Sequence, residues 1–430
     1  MCRSLRVNGR RGRTLDRMSV ELPNPIMRHF WLRSENEIDS DLALLRREHP
    51  VSFQPEEVIE ASPLPTGPGY WAVTRYHDIV HMSAHPEIFS SASGITVLDT
   101  PPEFNEFFSS MIAMDDPRHA RLRRIVSAGF TPRMLGRLED NVQSIATEIV
   151  DGLEGRAEID FVIDVAAALP LRIVCELMGI PSSEFGFVFD QTNIILGVSD
   201  PEYVPADGDM LGALLTAGGN LAELMKSVAQ AKAGGDGTDL TSVLVNADLD
   251  DDRLEAADLA SFFILLTVAG NETTRNAISW GLKYLTDHPD QRAVWAQDFE
   301  EVAPTAVEEI VRLASPVTYM RRTATSDTEL GGQTIREGDK LAMFYLAANR
   351  DEDAFENPHR FDVLRSPNHH LGFGGPGPHY CLGAHLARRE ITVMFRELLS
   401  RYPDIHATGP PDQLMASFIH GVKHLNAALA

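Results

Sequence analysis

The stretch LGFGGPGPHYCLGAHLARRE, residues Leu371–Glu390, places Cys381 between a glycine-rich loop and a predicted helix. A lone cysteine is usually a small buried hydrophobe, but these neighbours favour another role. Gly374, Gly375 and Gly377 leave the backbone bare, which suits close approach to a flat, bulky ligand. Loop N–H groups and the positive end of the next helix stabilise a thiolate, which is a good metal ligand. One thiolate on haem iron favours O–O cleavage.

Composition limits the classes of function that remain. The chain has 430 residues, a formal net charge of −24 and 43% hydrophobic residues, so it can bury a large core. Its acidity argues against nucleic acid or an anionic membrane surface as the main partner. Cys2, Cys175 and Cys381 are too few and too far apart for a disulfide framework, which favours a cytoplasmic location. The longest apolar run, Leu259–Gly270, is too short to span a bilayer, so no membrane anchor is predicted.

Helical segments dominate the middle of the chain. The segment from Arg253 to His288 lacks proline and predicts one helix of roughly 50 Å at about 1.5 Å per residue. A second helix is predicted over Pro304–Leu313, and strand-like pieces follow it. The first residues are rich in arginine, and Met18 is an alternative start of translation.

The loop around Cys381 resembles the haem-binding segment of the cytochrome P450 family. The positions that match are Gly377, His379, Cys381 and Gly383, and Phe373 stands one residue early. The resemblance implies haem b with Cys381 as the axial ligand of the iron. It also places Phe373, Gly375 and Gly383 against the cofactor.

The predicted long helix carries AGNETT, residues Ala269–Thr274, which resembles the oxygen-binding groove of this family. The resemblance implies that Ala269 and Gly270, in a locally opened helix, make room beside the iron. It assigns Thr273 to a hydrogen bond with dioxygen and Glu272 to proton relay. A lone helical threonine would more often bond the carbonyl four residues earlier, and the motif as a whole favours the catalytic role.

Two further sets of residues match the family. Glu309 and Arg312 stand three apart on one helical face and resemble a structural Glu-x-x-Arg pair, which Arg360 would complete. Residues Asp115–Pro132 resemble the helix that binds the haem propionates. The expected propionate ligands are His119, Arg123, Arg322 and His379.

The resemblance covers nearly the whole chain and implies a mainly α single-domain prism with a small β-rich region. We expect a disordered tail over residues 1–30 and one P450 catalytic domain over residues 31–430. Longer stretches, such as 262–278 and 381–391, are similar to a mycobacterial subgroup that hydroxylates methyl-branched lipids at the chain terminus. The substrate is therefore expected to be a methyl-branched lipid, an isoprenoid or a related long chain.

Terminal attack requires a pocket that holds the chain end near the iron and keeps inner carbons away. The candidate wall residues are Ile95, Leu98, Phe107, Ile195, Leu265, Ala269, Val317 and Phe418. Apolar residues at such positions more often belong to the core, and Ala269, one turn before Thr273, is the strongest candidate.

The subgroup implies O2 as co-substrate and electrons from NAD(P)H through ferredoxin reductase and ferredoxin. A basic face for the ferredoxin could be formed by Arg118, Arg121, Arg124, Arg388 and Arg389. The alternatives are a steroid side-chain hydroxylase, a haem sensor or carrier without turnover, a peroxide-driven enzyme, and a cysteine hydrolase using Cys381 and His385. The Glu272–Thr273 pair argues against a carrier, because binding alone would not require it.

Overall fold

The computed structural model of the chain describes residues 22–58, 65–129, 132–205, 208–246 and 256–429. Most of the expected tail, including Met18, lies outside these ranges. Before residue 31, however, Ile26 and Phe30 are buried beside Trp31 in one of the hydrophobic clusters. Apolar side chains on both sides of the expected boundary between residues 30 and 31 thus pack into the same core, and the division of the chain at that position stays a prediction.

Helices form most of the described chain. In chain order they are α1 (Glu35–Glu48), α2 (Tyr76–Ala84), α3 (Pro102–Ser109), α4 (Arg118–Gly129), α5 (Pro132–Asp151), α6 (Ala168–Met178), α7 (Phe185–Leu196), α8 (Met210–Lys232), α9 (Leu240–Asn246), α10 (Ala256–Asp287), α11 (Pro289–Gln297), α12 (Phe299–Ala314), α13 (Tyr345–Ala348) and α14 (Ala384–Arg401). Short helical turns lie at Arg28–Leu32, Ser110–Ala113, Val162–Ala166 and Ser182–Glu184.

The central element is α10, which is continuous over 32 residues, or about 48 Å. It packs against α3, α6, α8, α12 and α14 and so runs through the helical core. The predicted long helix is confirmed over its described part, and residues 253–255 lie outside the described ranges. Helix α12 begins at Phe299, five residues before the predicted start, and includes Pro304.

The strands form a small β-rich region. They are β1 (Val51–Gln54), β2 (Tyr70–Val73), β3 (Phe89–Ser90), β4 (Glu158–Asp160), β5 (Tyr319–Ala324), β6 (Thr328–Leu330), β7 (Gln333–Ile335), β8 (Lys340–Phe344), β9 (His406–Ala407), β10 (Asp412–Gln413), β11 (Val422–His424) and β12 (Asn426–Ala428). The largest sheet has the order β1-β2-β8-β5-β3, with β2 and β8 parallel. Alternation along β5 places Met320 and Arg322 on one face and Arg321 on the other.

The predicted Glu309–Arg312 pair is present and fully buried on α12, with Arg312 Nε 2.8 Å from Glu309 Oε2. The prediction that Arg360 completes it is wrong. Instead, the guanidinium of Arg365 donates to Glu309 Oε2 at 3.0 Å. Arg360 is exposed and contributes its carbonyl oxygen, which accepts from Arg312 Nη2 at 3.3 Å and from Arg365 Nη2 at 2.9 Å.

This buried network connects α12 to the segment that leads into the cysteine loop. Asn368 Nδ2 donates to Glu309 Oε2 at 3.2 Å, and Arg312 Nη1 donates to the carbonyl of Asn349 at 2.6 Å. The side-chain oxygen of Asn349 in turn accepts from the N–H of Leu371 at 2.7 Å. A carboxylate shared by two guanidiniums thus fixes the start of the loop relative to the helical core.

We expect Arg365→Met to lower the free energy of unfolding by about 3 kcal/mol, because it removes one cation from a buried carboxylate. Arg360→Met is the matched control and should leave stability nearly unchanged, since the Arg360 side chain is exposed. Denaturant unfolding of both variants measures the difference. Equal losses in the two variants would contradict the assignment of Arg365.

Candidate active site

The cysteine loop is held by its own backbone. The N–H of Cys381 donates to the carbonyl of Phe373 at 3.0 Å, and that of Gly374 donates to the carbonyl of Leu371 at 2.9 Å. Gly374 and Gly377 have φ angles of 86° and 141°, which side-chain-bearing residues rarely adopt. The loop therefore follows a path that only glycine makes accessible, and Cys381 ends it facing an internal cavity.

The sulfur of Cys381 lies at the start of α14. Burial raises the pKa of its thiol, and the backbone N–H groups of Gly383 and Ala384, with Arg123 and Arg388, act in the opposite direction. The predicted N–H groups and helix terminus are thus present beside the sulfur. The ring of Phe373 also lines the cavity, and the guanidinium of Arg388 covers it at 4.3 Å from the ring centroid.

Gly375, which was expected to lie against the cofactor, is not among the residues that line the cavity. A Cβ added there would lie 2.6 Å from the hydroxyl oxygen of Ser83 on α2, and one added at Gly377 would meet the Ser83 backbone. Both residues therefore let the loop pack closely on α2. Gly383 does line the cavity, and no neighbouring atom would meet a Cβ there within 4 Å.

Two imidazoles contact each other beside the loop, with their ring planes tilted by 40°. The rings of His119 and His379 have centroids 4.3 Å apart. His119 Nδ1 lies 3.2 Å from Asp116 Oδ1, and His379 Nε2 lies 3.2 Å from Ser91 Oγ. The other ring nitrogens, His119 Nε2 and His379 Nδ1, are buried without a hydrogen-bond partner. Burial and the neighbouring charge of Arg322 lower the pKa of His379 to about 3, so this ring is neutral.

Two guanidiniums complete this group. Arg322 is 6% exposed and donates to the carbonyl of Arg321 at 2.8 Å, and no carboxylate of the described residues forms an ion pair with it. Arg123 Nη2 donates to the carbonyl of Tyr380 at 2.7 Å. The unpartnered ring nitrogens and the guanidiniums suit two propionates, and the cysteine thiolate suits iron. The residues present therefore fit haem, which Cys381, His119, Arg123, Arg322 and His379 would hold.

The predicted catalytic residues of α10, Thr273 and Glu272, have different surroundings. Thr273 lines the cavity, and its hydroxyl donates to the carbonyl of Ala269 at 2.7 Å. Glu272 is fully buried outside the wall and forms an ion pair with Arg275, whose Nη1 donates to Asn193 Oδ1 at 2.8 Å. The helix is unbroken here, so the expected local opening is absent from α10.

The absence of a Cβ at Gly270 matters for packing. A Cβ there would lie 2.7 Å from Val174 Cγ2 on α6, so this glycine brings α10 close to α6 while it lines the cavity. Ala269 is on the same wall, as predicted.

The cavity has a volume of about 460 Å³. Three of the predicted substrate contacts, Leu265, Ala269 and Val317, line it. The other five are not among the residues that line it: Ile95, Leu98, Phe107, Ile195 and Phe418. Phe107 packs instead on Phe108 with ring centroids 4.9 Å apart, and Phe418 packs on Tyr319 at 5.6 Å.

The segment that contains Ile95 and Leu98 lies alongside β5 because several contacts hold it there. The N–H of Arg321 donates to the carbonyl of Ile95 at 2.7 Å. The guanidinium of Arg321 lies 2.9 Å from Asp99, and Lys340 also forms an ion pair with Asp99 at 2.9 Å. This segment therefore lies against β5, and neither Ile95 nor Leu98 lines the cavity.

Sequence reasoning missed several wall residues, which are Met111, Ile112, Phe262, Leu266 and Met320. Two signals could have found some of them. Phe262 and Leu266 share the helical face of Leu265, Ala269 and Thr273, since they are three, four or seven residues apart. Met320 shares a strand face with Arg322. Met111 and Ile112 lie in a short helical turn whose position depends on tertiary packing.

Comparisons with known proteins agree with this geometry. The family model described as Cytochrome P450 matches residues 219–423. A methyl-branched lipid omega-hydroxylase of Mycobacterium tuberculosis (strain ATCC 25618 / H37Rv) is 48% identical over 406 residues, 92% of each chain. A steroid C26-monooxygenase of the same strain is 39% identical over 366 residues, covering 83% of this chain and 81% of that one. The structure of Mycobacterium marinum cytochrome P450 CYP268A2 in complex with pseudoionone has a TM-score of 0.88 and 44% identity, covering 98% of this chain and all of that one.

The chain therefore belongs to the cytochrome P450 family. It is a cytochrome P450 monooxygenase, which removes the carrier, sensor and hydrolase alternatives, and the family implies haem as its cofactor. The predicted mainly helical fold with a small β-rich region is confirmed. Among the described residues, none of the helices combines the length and the hydropathy needed to cross a bilayer.

We expect Cys381→Ser to abolish the red-shifted absorption band of the reduced, carbon-monoxide-treated protein, because the thiolate ligand is lost. Cys175→Ser is the matched control: this cysteine is buried on α6, and burial raises the pKa of its thiol to about 12. Absorption spectra of the two variants provide the measurement. The band should persist in Cys175→Ser, and its persistence in Cys381→Ser would refute the ligand assignment.

Proposed function

We propose that this monooxygenase hydroxylates the terminal methyl group of a methyl-branched lipid, an isoprenoid or a related long chain, with O2 as co-substrate. The observation that carries this proposal is the apolar face of α10 that leads to Thr273. Phe262, Leu265, Leu266 and Ala269 follow one another along that face. The relatives named as methyl-branched lipid omega-hydroxylases support the same substrate class.

The chemistry of the wall supports an uncharged chain end near the reacting position. The α10 and α6 residues of the wall carry no charge. The charged residues of the wall belong to α4, α5, β5 and α14. A terminal C–H bond is stronger than the secondary one beside it, so selectivity for the end depends on position. Val317 and Met320, from the segment after α12, close the wall opposite α10.

Bound haem supplies dioxygen activation, and the residues of α10 supply the protons. The Thr273 hydroxyl faces the cavity and could exchange its bond to Ala269 for one to an acceptor in the cavity. Glu272 is the proton donor that replenishes Thr273, and Arg275 with Asn193 holds its carboxylate in the resting arrangement. Burial raises the pKa of Glu272, which Arg275 opposes, so proton delivery requires the carboxylate to leave this ion pair.

Electrons are proposed to come from NAD(P)H through ferredoxin reductase and ferredoxin. Arg121 and Arg124 are exposed on α4, next to the residues that would bind the propionates. Arg118 forms an ion pair with Glu106 on α3, and Arg388 forms one with Glu308 on α12. Arg118, Arg121 and Arg124 all lie on α4, so the basic face proposed for the ferredoxin includes this helix.

Spectral binding titrations and product analysis test the substrate class. The ligands are a methyl-branched fatty acid, a straight fatty acid, an isoprenoid and cholestenone. We expect the branched fatty acid or the isoprenoid to bind most tightly and to give the terminal alcohol. Tightest binding and terminal hydroxylation of cholestenone would instead support the steroid alternative, which the relatives named steroid C26-monooxygenase favour.

Widening the wall should relax the position of attack. In Leu266→Ala, the lost packing should raise the share of inner-carbon alcohols by about tenfold. Ile195→Val, outside the wall, is the control and should keep the product ratio. Gas chromatography with mass spectrometry of the alcohols gives the ratio. An unchanged ratio in Leu266→Ala would argue against a wall that selects the terminus.

We expect Thr273→Ala to slow alcohol formation by about 10²-fold while NAD(P)H is still consumed and peroxide is released, because the proton donor beside bound oxygen is lost. Thr273→Ser keeps the hydroxyl and serves as the control, with coupling near that of the wild type. Alcohol, peroxide and NAD(P)H are measured together. Normal coupling in Thr273→Ala would refute the proton-relay role.

A further inference from the structure

Glu390, on α14, is a buried carboxyl group without a partner. Its exposure is 2%, its Oε2 has no hydrogen-bond partner, and it forms no ion pair with any described residue. Other buried carboxylates of the chain behave differently: Glu309 and Glu272 pair with arginines, and Glu56 pairs with Lys340. An unpaired buried carboxylate is costly, so this environment favours the neutral acid.

Glu390 lines the same cavity as Cys381, on the α14 side of the wall. It follows Ala384 by six residues, which is roughly 9 Å along the helix axis. The charged or titratable groups of the wall nearest in the fold are Arg123 on α4, Glu139 on α5, and His385 and Arg389 on α14.

None of these groups neutralises Glu390. The Nε of Arg389 is itself buried without a partner, and Glu308 of α12 pairs with Arg388 and His370. The wall residues from α6, α10 and α12 are uncharged. Burial alone therefore raises the pKa of Glu390 to about 8, within the range where small changes in nearby charge alter its protonation.

We propose that Glu390 is a redox-linked proton acceptor, whose protonated fraction rises, with a proton taken from water, when an electron enters the haem and falls again when the haem is oxidised. The electron comes from an external one-electron donor, a ferredoxin or dithionite. The proton adds to the carboxylate and forms one O–H bond, so the net charge of the site is unchanged. This proposal requires haem at Cys381 but not the proposed lipid substrate.

The expected size follows from Coulomb's law, with a separation on the order of 12 Å assumed for the added charge. A unit charge about 12 Å away at an effective dielectric constant of about 20 changes proton affinity roughly tenfold. Reduction adds negative charge and therefore raises the proton affinity of Glu390. By linkage, the reduction potential falls as the pH rises through the titration range of Glu390, and a tenfold change in affinity corresponds to about 59 mV for one electron. The potential stays flat on both sides of that range.

Potentiometric titration of the haem protein over a series of pH values tests this. The wild type should show the fall in potential near pH 8, and Glu390→Gln, which cannot ionise, should show a flat potential there. Glu397→Gln is the matched control on the same helix: Glu397 already bonds Gln143 and Arg401, and this variant should keep the wild-type profile. A flat wild-type profile, or the same slope in Glu390→Gln, overturns the proposal.

A second measurement covers the case in which Glu390→Gln does not fold. The infrared difference spectrum of the wild type, reduced minus oxidised near pH 8, should contain a new carbonyl stretch of a protonated carboxylic acid. Uptake of protons on reduction, followed with an indicator dye in weak buffer, should accompany it. The absence of both signals in the wild type rules out Glu390 as the acceptor.

Discussion

The structure depends on one local arrangement, in which the sulfur of Cys381 meets the first backbone N–H groups of α14. Thiolates are stabilised by such donors and by the positive end of a helix. Here Gly383 and Ala384 supply the donors, and the loop before them turns at Gly374 and Gly377 in conformations that need glycine. The chain thus sets the direction of the sulfur with backbone groups, which cannot rotate away as side chains can.

Longer-range contacts fix where this arrangement sits. The buried Glu309 joins α12 to Arg365 and Asn368 in the irregular segment before the loop. On the other side, Gly375 and Gly377 let the loop rest directly on α2. The paired imidazoles of His119 and His379 then connect α4 to the loop itself. Helices from separate parts of the chain are therefore joined at one short segment.

The resemblance to the P450 family was enough to predict the fold class and the residues that gather around Cys381. The long helix α10 could be predicted from its helical period and the absence of proline. Arg365 could not be distinguished from Arg360, because both lie in an irregular segment without periodicity. The path of that segment around α12 determines which of the two arginines binds Glu309.

The substrate wall shows the same limit. Leu265 and Ala269 could be predicted because α10 has a regular face. Ile95 and Leu98 could not be placed, because the ion pairs of Asp99 with Arg321 and Lys340 draw their segment to the sheet. Helix α12 was predicted to start at Pro304, yet it begins at Phe299 and buries Val302 and Ala303 before the proline.

The continuity of α10, which carries both cavity-lining side chains and Thr273, has an evolutionary consequence. Apolar side chains of this helix line the cavity, and Thr273 lies one turn beyond Ala269 on the same helix. Glu272, next to Thr273, is held in an ion pair with Arg275. A bulkier residue that tilts α10 to admit another molecule also displaces the Thr273 hydroxyl, for which we propose the proton-donor role. Diversification of ligand preference would then proceed more readily through Val317 and Met320, which sit on a separate element and leave that hydroxyl undisturbed.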